Sequence, residues 1–166
     1  MHWKEVADVL NKPLALELMS SDIPARVAYT GLDGAPRVVP IGFHWSGTEI
    51  IICTVPGSYK VRALAADPKV ALTIDTTGRH PPHVLLVRGT AVAELVEGVP
   101  DEYLQGGTKY IPDEQRSTFE AEVRSLYKQM VRITITPEWA KLLDFETTIP
   151  SAVERLVRER AREQGE

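Results

Sequence analysis

Residues 37–74, RVVPIGFHWSGTEIIICTVPGSYKVRALAADPKVALTI, contain the pattern that decides the fold. Two β-rich runs, RVVPIGFHW and EIIICTV, flank the turn sequence SGT, and a third run, KVALTID, follows a short helix that begins near Ser58. Three more strand-like runs, ARVAYTGL, VLLVRGTAVAEL and VRITIT, lie outside this stretch. Because strands and helices do not alternate, a doubly wound parallel sheet is disfavoured. We predict a mainly β fold, an antiparallel β-barrel with flanking helices.

The first part of the chain is predicted to be helical. HWKEVADVLNKPLALELMSSD indicates two helices within residues 1–22, with a break near Lys12, since proline is typical of the first position of a helix and Pro13 follows the break. The barrel strands are expected over about residues 25–136. In the long run VLLVRGTAVAEL, Gly89 indicates a bend or a β-bulge.

The last part of the chain combines helices with one strand. PDEQRSTFEAEVRSLYKQM has the spacing of an amphipathic helix that begins at Pro112. VRITIT is predicted to be the last strand, PEWAKLL a short helical turn, and residues 150–166 a charged helix. We expect the whole chain, residues 1–166, to form a single split-barrel domain.

Composition limits the classes of function. The chain carries a formal net charge of −4 and shows no basic face, which argues against a nucleic-acid partner. Its single cysteine, Cys53, cannot form an internal disulfide or a thiolate metal cluster. No segment approaches the roughly 18 apolar residues of a membrane span, and the N-terminus lacks an apolar signal core, so we expect a cytoplasmic protein with no membrane partner.

The short helix after Ser58 has its charges in an unusual order. Lys60 and Arg62 lie in its first turn and Asp67 closes it, whereas a helix dipole favours acids at the start by roughly 0.3–1 kcal/mol each. An anion bound by the free amides, the Ser58 hydroxyl and the two cations would remove this cost. The alternative is that both cations point into solvent, where screening makes the cost small.

The preceding strand offers a flat surface. In RVVPIGFHW the odd positions from Val39 to Trp45 are bulky, and the even positions carry the smaller set of Val38, Pro40, Gly42 and His44. A flat ring could lie against this smaller face and its exposed backbone groups. The alternative is an edge strand that Pro40 protects from further pairing.

The whole stretch resembles the signature of the pyridoxamine 5′-phosphate oxidase-like family, the flavin-binding split β-barrels. The pattern is an Arg-x-x-Pro strand, a glycine turn, a strand that ends in Thr, and Ser-x-Lys at the start of a helix that ends in Asp-Pro. The resemblance continues through VRGTAVAEL and VRITITPEWAKLLDF and covers roughly residues 14–145.

This resemblance implies a six-stranded antiparallel split barrel of the FMN-binding type. It also implies a homodimer with cofactor sites in the clefts between the subunits. In the family, the Ser-x-Lys helix start holds the flavin phosphate, and the Arg-x-x-Pro strand lies along the isoalloxazine ring. The positions that match these cofactor-binding elements are Arg37, Val38, Val39, Pro40, Ile41, Thr54, Ser58, Lys60 and, more weakly, Arg62.

One departure leaves two cofactors open. Many relatives carry a basic residue immediately before the lysine, whereas this chain has Tyr59. The segment that shapes the pyridoxamine phosphate site is not recognisable either, so a vitamin B6 enzyme is not predicted. A branch of the family uses the deazaflavin coenzyme F-420 in place of FMN, and these residues do not separate the two.

Two main function hypotheses follow. The first is an oxidoreductase that transfers hydride between FMN or coenzyme F-420 and an unknown small-molecule substrate. The second is a protein that binds or stores a flavin, haem or another flat ligand without turnover, and a third reading is a scaffold with an empty cleft. No side chain stands out as a catalytic acid or base; His44 is the nearest candidate, and a structural histidine is its alternative.

Other motifs of chemistry are missing from the sequence. There is no phosphate-binding glycine motif of the Rossmann or P-loop type, no nucleophile elbow and no zinc-ligand spacing. His80 and His83 lie three residues apart, but the prolines between them rule out a shared helical face. We therefore predict no metal site.

Overall fold

The computed structural model describes residues 1–76 and 78–164. Within these residues, seven strands form one antiparallel sheet in the order β2-β1-β5-β6-β7-β4-β3. The strands are β1 (Ala25–Thr30), β2 (Pro36–Ile41), β3 (His44–Trp45), β4 (Ile50–Thr54), β5 (Lys69–Asp75), β6 (Val84–Glu97) and β7 (Gln129–Leu143). The mainly antiparallel architecture agrees with the sequence prediction.

The predicted six-stranded split barrel is confirmed only as a mainly antiparallel sheet with flanking helices: the described strands form one open sheet of seven strands. The run RVVPIGFHW, expected to be one strand, divides at Gly42 and Phe43 into β2 and β3. β2 pairs with β1 at one edge of the sheet, and β3 pairs with β4 at the other edge. The two edges are therefore joined through two residues of chain and not by a hydrogen-bonded ladder.

A β-bulge in the β6–β7 pair also changes the expected end of the sheet. The register shifts between Arg88 and Gly89, as the glycine predicted, and Gly89 faces Pro137. A Cβ atom at Gly89 would lie 2.2 Å from the Thr136 carbonyl oxygen, so only glycine fits here. Pairing resumes after the bulge and reaches Leu143, so PEWAKLL is strand and not the predicted helical turn.

Helices flank the sheet on both faces. They are α1 (Trp3–Leu10), α2 (Pro13–Ser20), α3 (Tyr59–Ala66), α4 (Asp101–Gly107), α5 (Arg116–Leu126) and α6 (Ser151–Glu163), with 3-10 turns at Thr108–Tyr110 and Asp113–Gln115. Pro13 is the first residue of α2, as predicted, and α5 begins four residues later than its predicted start at Pro112. Gly165 and Glu166, at the end of the predicted C-terminal helix, and Thr77 lie outside the described residues.

Two hydrophobic clusters lie on opposite faces of β4. Ile50 and Ile52 belong to the larger cluster, to which α1 and α2 also contribute buried side chains. Ile51 and Cys53 belong to a smaller cluster beneath α4 and α5. This alternation follows from the two-residue period of a strand. No helix in the described part of the chain is both long enough and apolar enough to cross a membrane.

Candidate functional site

The end of β4 and the start of α3 bring three polar side chains together. β4 ends at Thr54, and a turn closes where the Ser58 amide donates to the Val55 carbonyl at 3.0 Å. Lys60 reaches back over this turn. Its Nζ donates to Ser58 Oγ at 2.9 Å and to Thr54 Oγ1 at 3.4 Å. An ammonium group and two hydroxyls thus lie within hydrogen-bonding distance of one another. We call Lys60, Ser58 and Thr54 the Lys60 cluster.

Ser58 occupies the N-cap position of α3, but its side chain does not cap the helix. Its hydroxyl accepts from Lys60, and the Ser58 carbonyl accepts from the Val61 amide at 3.1 Å. By helix geometry, the amides of Tyr59 and Lys60 precede the first intrahelical hydrogen bond. The Ser58 side chain therefore satisfies none of the first-turn amides, and the helix start keeps backbone donors for another acceptor.

Lys60 is a partly buried cation without a carboxylate partner among the described residues. Burial lowers the pKa of its ammonium, and no neighbouring acid opposes this effect. Two hydroxyls replace only part of the lost hydration, because they are neutral acceptors. A bound anion would restore the missing negative charge. Phosphate fits this donor set, which combines a cation, hydroxyls and helix N-terminal amides.

Tyr59 connects α3 to the start of β2. The guanidinium carbons of Arg37 and Arg62 lie 5.9 and 5.8 Å from the centroid of its ring, and its hydroxyl accepts from the Leu32 amide at 2.9 Å. Arg37 also pairs with Asp33 at 2.7 Å, and this hydrogen bond lowers the pKa of the Asp33 carboxyl. Two arginines therefore lie beside the position where the expected basic residue is missing.

β2 has the alternation predicted for it. Val38 and Pro40 are exposed, with Val38 at 64% of its full exposure, whereas Val39 and Ile41 pack against the core. β2 pairs only with β1, so its other edge leaves backbone groups open. The side chains of residues 38–41 are aliphatic, so only backbone groups of this edge can hydrogen-bond to a ring.

A shallow cavity of about 310 Å³ lies on the outer face of the sheet beside Val38. One cross-strand row crosses it, running from Val38 through Ala28 and Ala71 to Arg88 and Trp139. The two alanines form its low centre, and the Arg88 guanidinium lies 4.4 Å from the centroid of the Trp139 ring at its far side. This face is largely apolar and open to solvent.

His44 lies apart from the Lys60 cluster, in a groove of about 630 Å³ between β3 and α2. Burial and the nearby Lys109 ammonium lower the pKa of its imidazole, and Glu102 opposes this shift. Lys109 donates to the Met19 carbonyl at 2.7 Å, and this hydrogen bond links the 3-10 turn after α4 to the end of α2.

Within the described residues, no three side chains of the kinds that bind metal come close together. The sequence profile described as pyridoxamine 5′-phosphate oxidase matches residues 13–142. The chain belongs to the pyridoxamine 5′-phosphate oxidase family. The matched region includes β2, α3 and the turn between β4 and α3, so the polar cluster and the open edge strand lie within the family domain.

Solved structures share the fold at low identity. An F420 reductase is 20% identical with a TM-score of 0.57, over 75% of this chain and 94% of that protein. The heme storage protein HutZ from Vibrio cholerae is 17% identical with a TM-score of 0.55, over 80% and 93% of the two chains. General Stress Protein 26 from Bacillus anthracis is 18% identical with a TM-score of 0.55, over 87% and 95%. No curated protein matches the chain in sequence.

Sequence reasoning missed two features of this region. The contact of Tyr59 with both arginines joins residues from separate elements, although the aromatic residue inside the Ser-x-Lys pattern was a visible signal. The second feature is the ion pair of Glu102 with Arg132, at 3.2 Å beneath α4. Its members lie 30 residues apart, and no local pattern indicates it.

Proposed function

We propose that this protein is an oxidoreductase that binds FMN or the deazaflavin coenzyme F-420 and exchanges hydride with a small-molecule substrate. The observation that carries the proposal is the convergence of Lys60, Ser58 and Thr54 at the start of α3. These groups fit the phosphate that both cofactors carry. The fold supports the same class, since an F420 reductase shares it.

Each element has a defined part in this proposal. Lys60 supplies the positive charge for the phosphate, and Ser58 and Thr54 hold its ammonium in place and offer hydroxyl donors. Arg37 and Arg62, held against Tyr59, add positive potential beside the site. The open edge of β2, along Val38, Val39, Pro40 and Ile41, offers backbone groups to the polar edge of a ring. When bound, the cofactor supplies the hydride chemistry, and the chain supplies position and electrostatics.

The proposal includes a homodimer. In one chain Lys60, Ser58 and Thr54 are only partly buried. The apolar outer face beside Val38 lies next to β2, and a second copy on this face would close the site and exclude water. The cofactor would then lie at the subunit interface.

A second candidate function is binding or storage of a flat ligand without turnover. It is supported by the heme storage protein with the same fold and by the absence, among the described residues, of an acid or base hydrogen-bonded into the Lys60 cluster. Both functions use the same surface. They differ in whether electrons leave the bound cofactor for an acceptor.

Turnover separates the two functions. The protein loaded with FMN or F-420 is mixed with a nicotinamide donor under anaerobic conditions, and the cofactor absorbance is followed before and after a panel of small acceptors is added. An oxidoreductase gives donor-dependent bleaching and repeated reoxidation by at least one acceptor class. A loaded protein that undergoes neither step with any donor or acceptor supports storage.

A further inference from the structure

A partly enclosed cavity of about 180 Å³ lies where β2 ends, on the side of the sheet that α4 covers. Ile41 and Gly42 from the end of β2, Cys53 from β4, and Glu102 from α4 contribute to its walls. Tyr110, from the 3-10 turn after α4, closes one side. We call this space the Glu102 cavity. It adjoins the strand that is proposed to contact the cofactor ring.

Glycines give the Glu102 cavity its shape. A Cβ atom at Gly42 would lie 3.2 Å from Tyr110 Cε2, and a Cβ atom at Gly106 would lie 2.9 Å from the carbonyl carbon of Phe43. The end of α4 therefore packs directly on the link between β2 and β3. Larger residues at these positions would narrow the cavity or displace α4.

The cavity lining carries one acidic group. Glu102 is the one charged side chain among the described lining residues, and that side chain is only 23% exposed. Arg132 donates to this carboxylate at 3.2 Å and to Glu94 at 3.5 Å. The Arg132 Nε is buried and has no hydrogen-bond partner in the described part of the chain. Arg132 thus holds Glu102 in place. Glu102 is among the lining residues of the cavity, and Arg132 is not.

The remaining polar groups are neutral. Burial raises the pKa of Tyr103 and of Tyr110, so both phenols keep their protons near neutral pH. Burial also raises the pKa of the Cys53 thiol to about 11, so it is not a thiolate. The cavity therefore combines hydroxyl and thiol groups with a single carboxylate. Its volume is below the roughly 300 Å³ at which pockets for drug-sized ligands begin, and close to the roughly 150 Å³ that accommodates one benzene ring.

We propose that the Glu102 cavity binds small single-ring compounds that are uncharged or cationic, and excludes anions of the same size. The further claim that this cavity is the pocket for the hydride-exchanging substrate rests on the proposed function. Its ligand selectivity does not, because the selectivity follows from Glu102 and the cavity walls alone. A substrate that carries a phosphate or carboxylate on its ring would be rejected, because its charge would be brought against a carboxylate with little solvent to screen it.

Three probes of equal size test this selectivity: benzyl alcohol, benzylamine and benzoate. They are titrated separately, at millimolar concentration, into the isotope-labelled full chain without cofactor. The amide signals of Gly42, Gly106 and Gly107 report occupancy of the cavity by NMR. Benzyl alcohol and benzylamine are expected to shift these signals, and benzoate is expected to leave them unchanged.

The Glu102→Gln variant tests whether the charge of Glu102 causes the selectivity. Benzylamine should bind about tenfold more weakly, which corresponds to one charge-assisted hydrogen bond, and benzyl alcohol should bind as before. Benzoate should now bind, because Arg132 has lost its carboxylate partner in the cavity. Glu120→Gln is the matched control, since Glu120 also pairs with an arginine, Arg124 at 2.9 Å, but lies outside the cavity. This control should behave as the wild-type chain.

Gly42→Ala tests whether the probes bind in the Glu102 cavity. The added methyl group would approach Tyr110 and narrow the cavity, so every probe should bind more weakly although no charge has changed. Benzoate binding to the wild-type chain as tightly as benzyl alcohol would overturn the proposal, as would the failure of all three probes to shift the glycine signals. If the apoprotein binds neither cofactor but keeps the probe selectivity, the proposed function fails and the cavity proposal stands. If the apoprotein binds a cofactor but shows no probe selectivity, the cavity proposal fails and the proposed function stands.

Discussion

Lys60 Nζ lies 2.9 Å from Ser58 Oγ, across the first turn of α3. The lysine thus turns back toward the strand end instead of extending into solvent, which was the alternative left open by the sequence. Its ammonium is held beside the free amides of the helix start, where the helix dipole alone would disfavour it. This arrangement is the basis of the proposed phosphate site.

Replacing the serine tests whether its hydroxyl contributes to that site. We expect Ser58→Ala to weaken FMN binding about fivefold, since a single hydrogen bond contributes about 1 kcal/mol. Binding of riboflavin, which lacks the phosphate, should not change. Fluorescence titration of both ligands measures this difference. Ser125→Ala, which removes only a hydroxyl that donates to the Glu122 carbonyl on α5, serves as the control. Equal losses for FMN and riboflavin would place the phosphate elsewhere.

The lowered pKa of Lys60 predicts how binding depends on pH. Because burial lowers this pKa, the ammonium loses its proton at a lower pH than an exposed lysine does. Affinity for a phosphate-bearing cofactor should therefore fall as the pH rises from neutral toward about 10, with riboflavin as the control for titration of the ring itself. The apoprotein should show the opposite trend in stability. Its buried charge disfavours the folded state, so the free energy of unfolding should rise as Lys60 deprotonates. Lys60→Ala should abolish both trends.

The outer face beside Val38 is predicted to contact a second copy. Val38→Glu would place a charge in the centre of that apolar face, so we expect the variant to be monomeric by light scattering. The variant should still unfold cooperatively in urea, because the Val38 side chain is exposed in one chain and does not contribute to its core. Val38→Thr, of similar shape, should remain dimeric. A dimeric Val38→Glu variant would show that the subunits meet on another surface.

The bulge at Gly89 should be sensitive to any side chain. In Gly89→Ala the methyl carbon would lie 2.2 Å from the Thr136 carbonyl oxygen, which is a steric clash with the β7 backbone. We therefore expect a loss of roughly 2 kcal/mol or more in unfolding free energy. Gly57→Ala is the matched control, since no atom lies within 4 Å of its added Cβ. Urea unfolding of both variants measures the difference. Equal stability of the two would mean that the bulge can relax.

Local patterns predicted most of the strands, but they did not predict how the sheet ends. The alternation of RVVPIGFHW continues through Gly42, so the sequence gives no sign that β2 and β3 pair at opposite edges. PEWAKLL, which begins at Pro137, is predicted from the sequence to be a helical turn. In the structure Pro137 faces Gly89 at the bulge, and the strand continues. Both errors concern pairing between distant segments, which the period of a single run does not contain.

The same distinction applies to the site. Thr54, Ser58 and Lys60 lie within seven residues of one another, so strand end, turn and helix start could be read together from the sequence. The Glu102 cavity depends on Arg132, which is brought beneath α4 by β7. The Glu102 carboxylate resembles any surface acid in the sequence, and only the packing of α4 on β3 and β4 reveals its burial.

A fluorescence titration of the apoprotein with FMN and with F-420, repeated with Lys60→Ala, is the sharpest test of the proposed phosphate site. Lys128→Ala, which removes an exposed lysine outside the site, is the control. We expect micromolar or tighter binding of one cofactor, weakened by about tenfold or more in Lys60→Ala and unchanged in Lys128→Ala. Binding of neither cofactor, or equal binding by the wild-type chain and Lys60→Ala, would contradict this proposal.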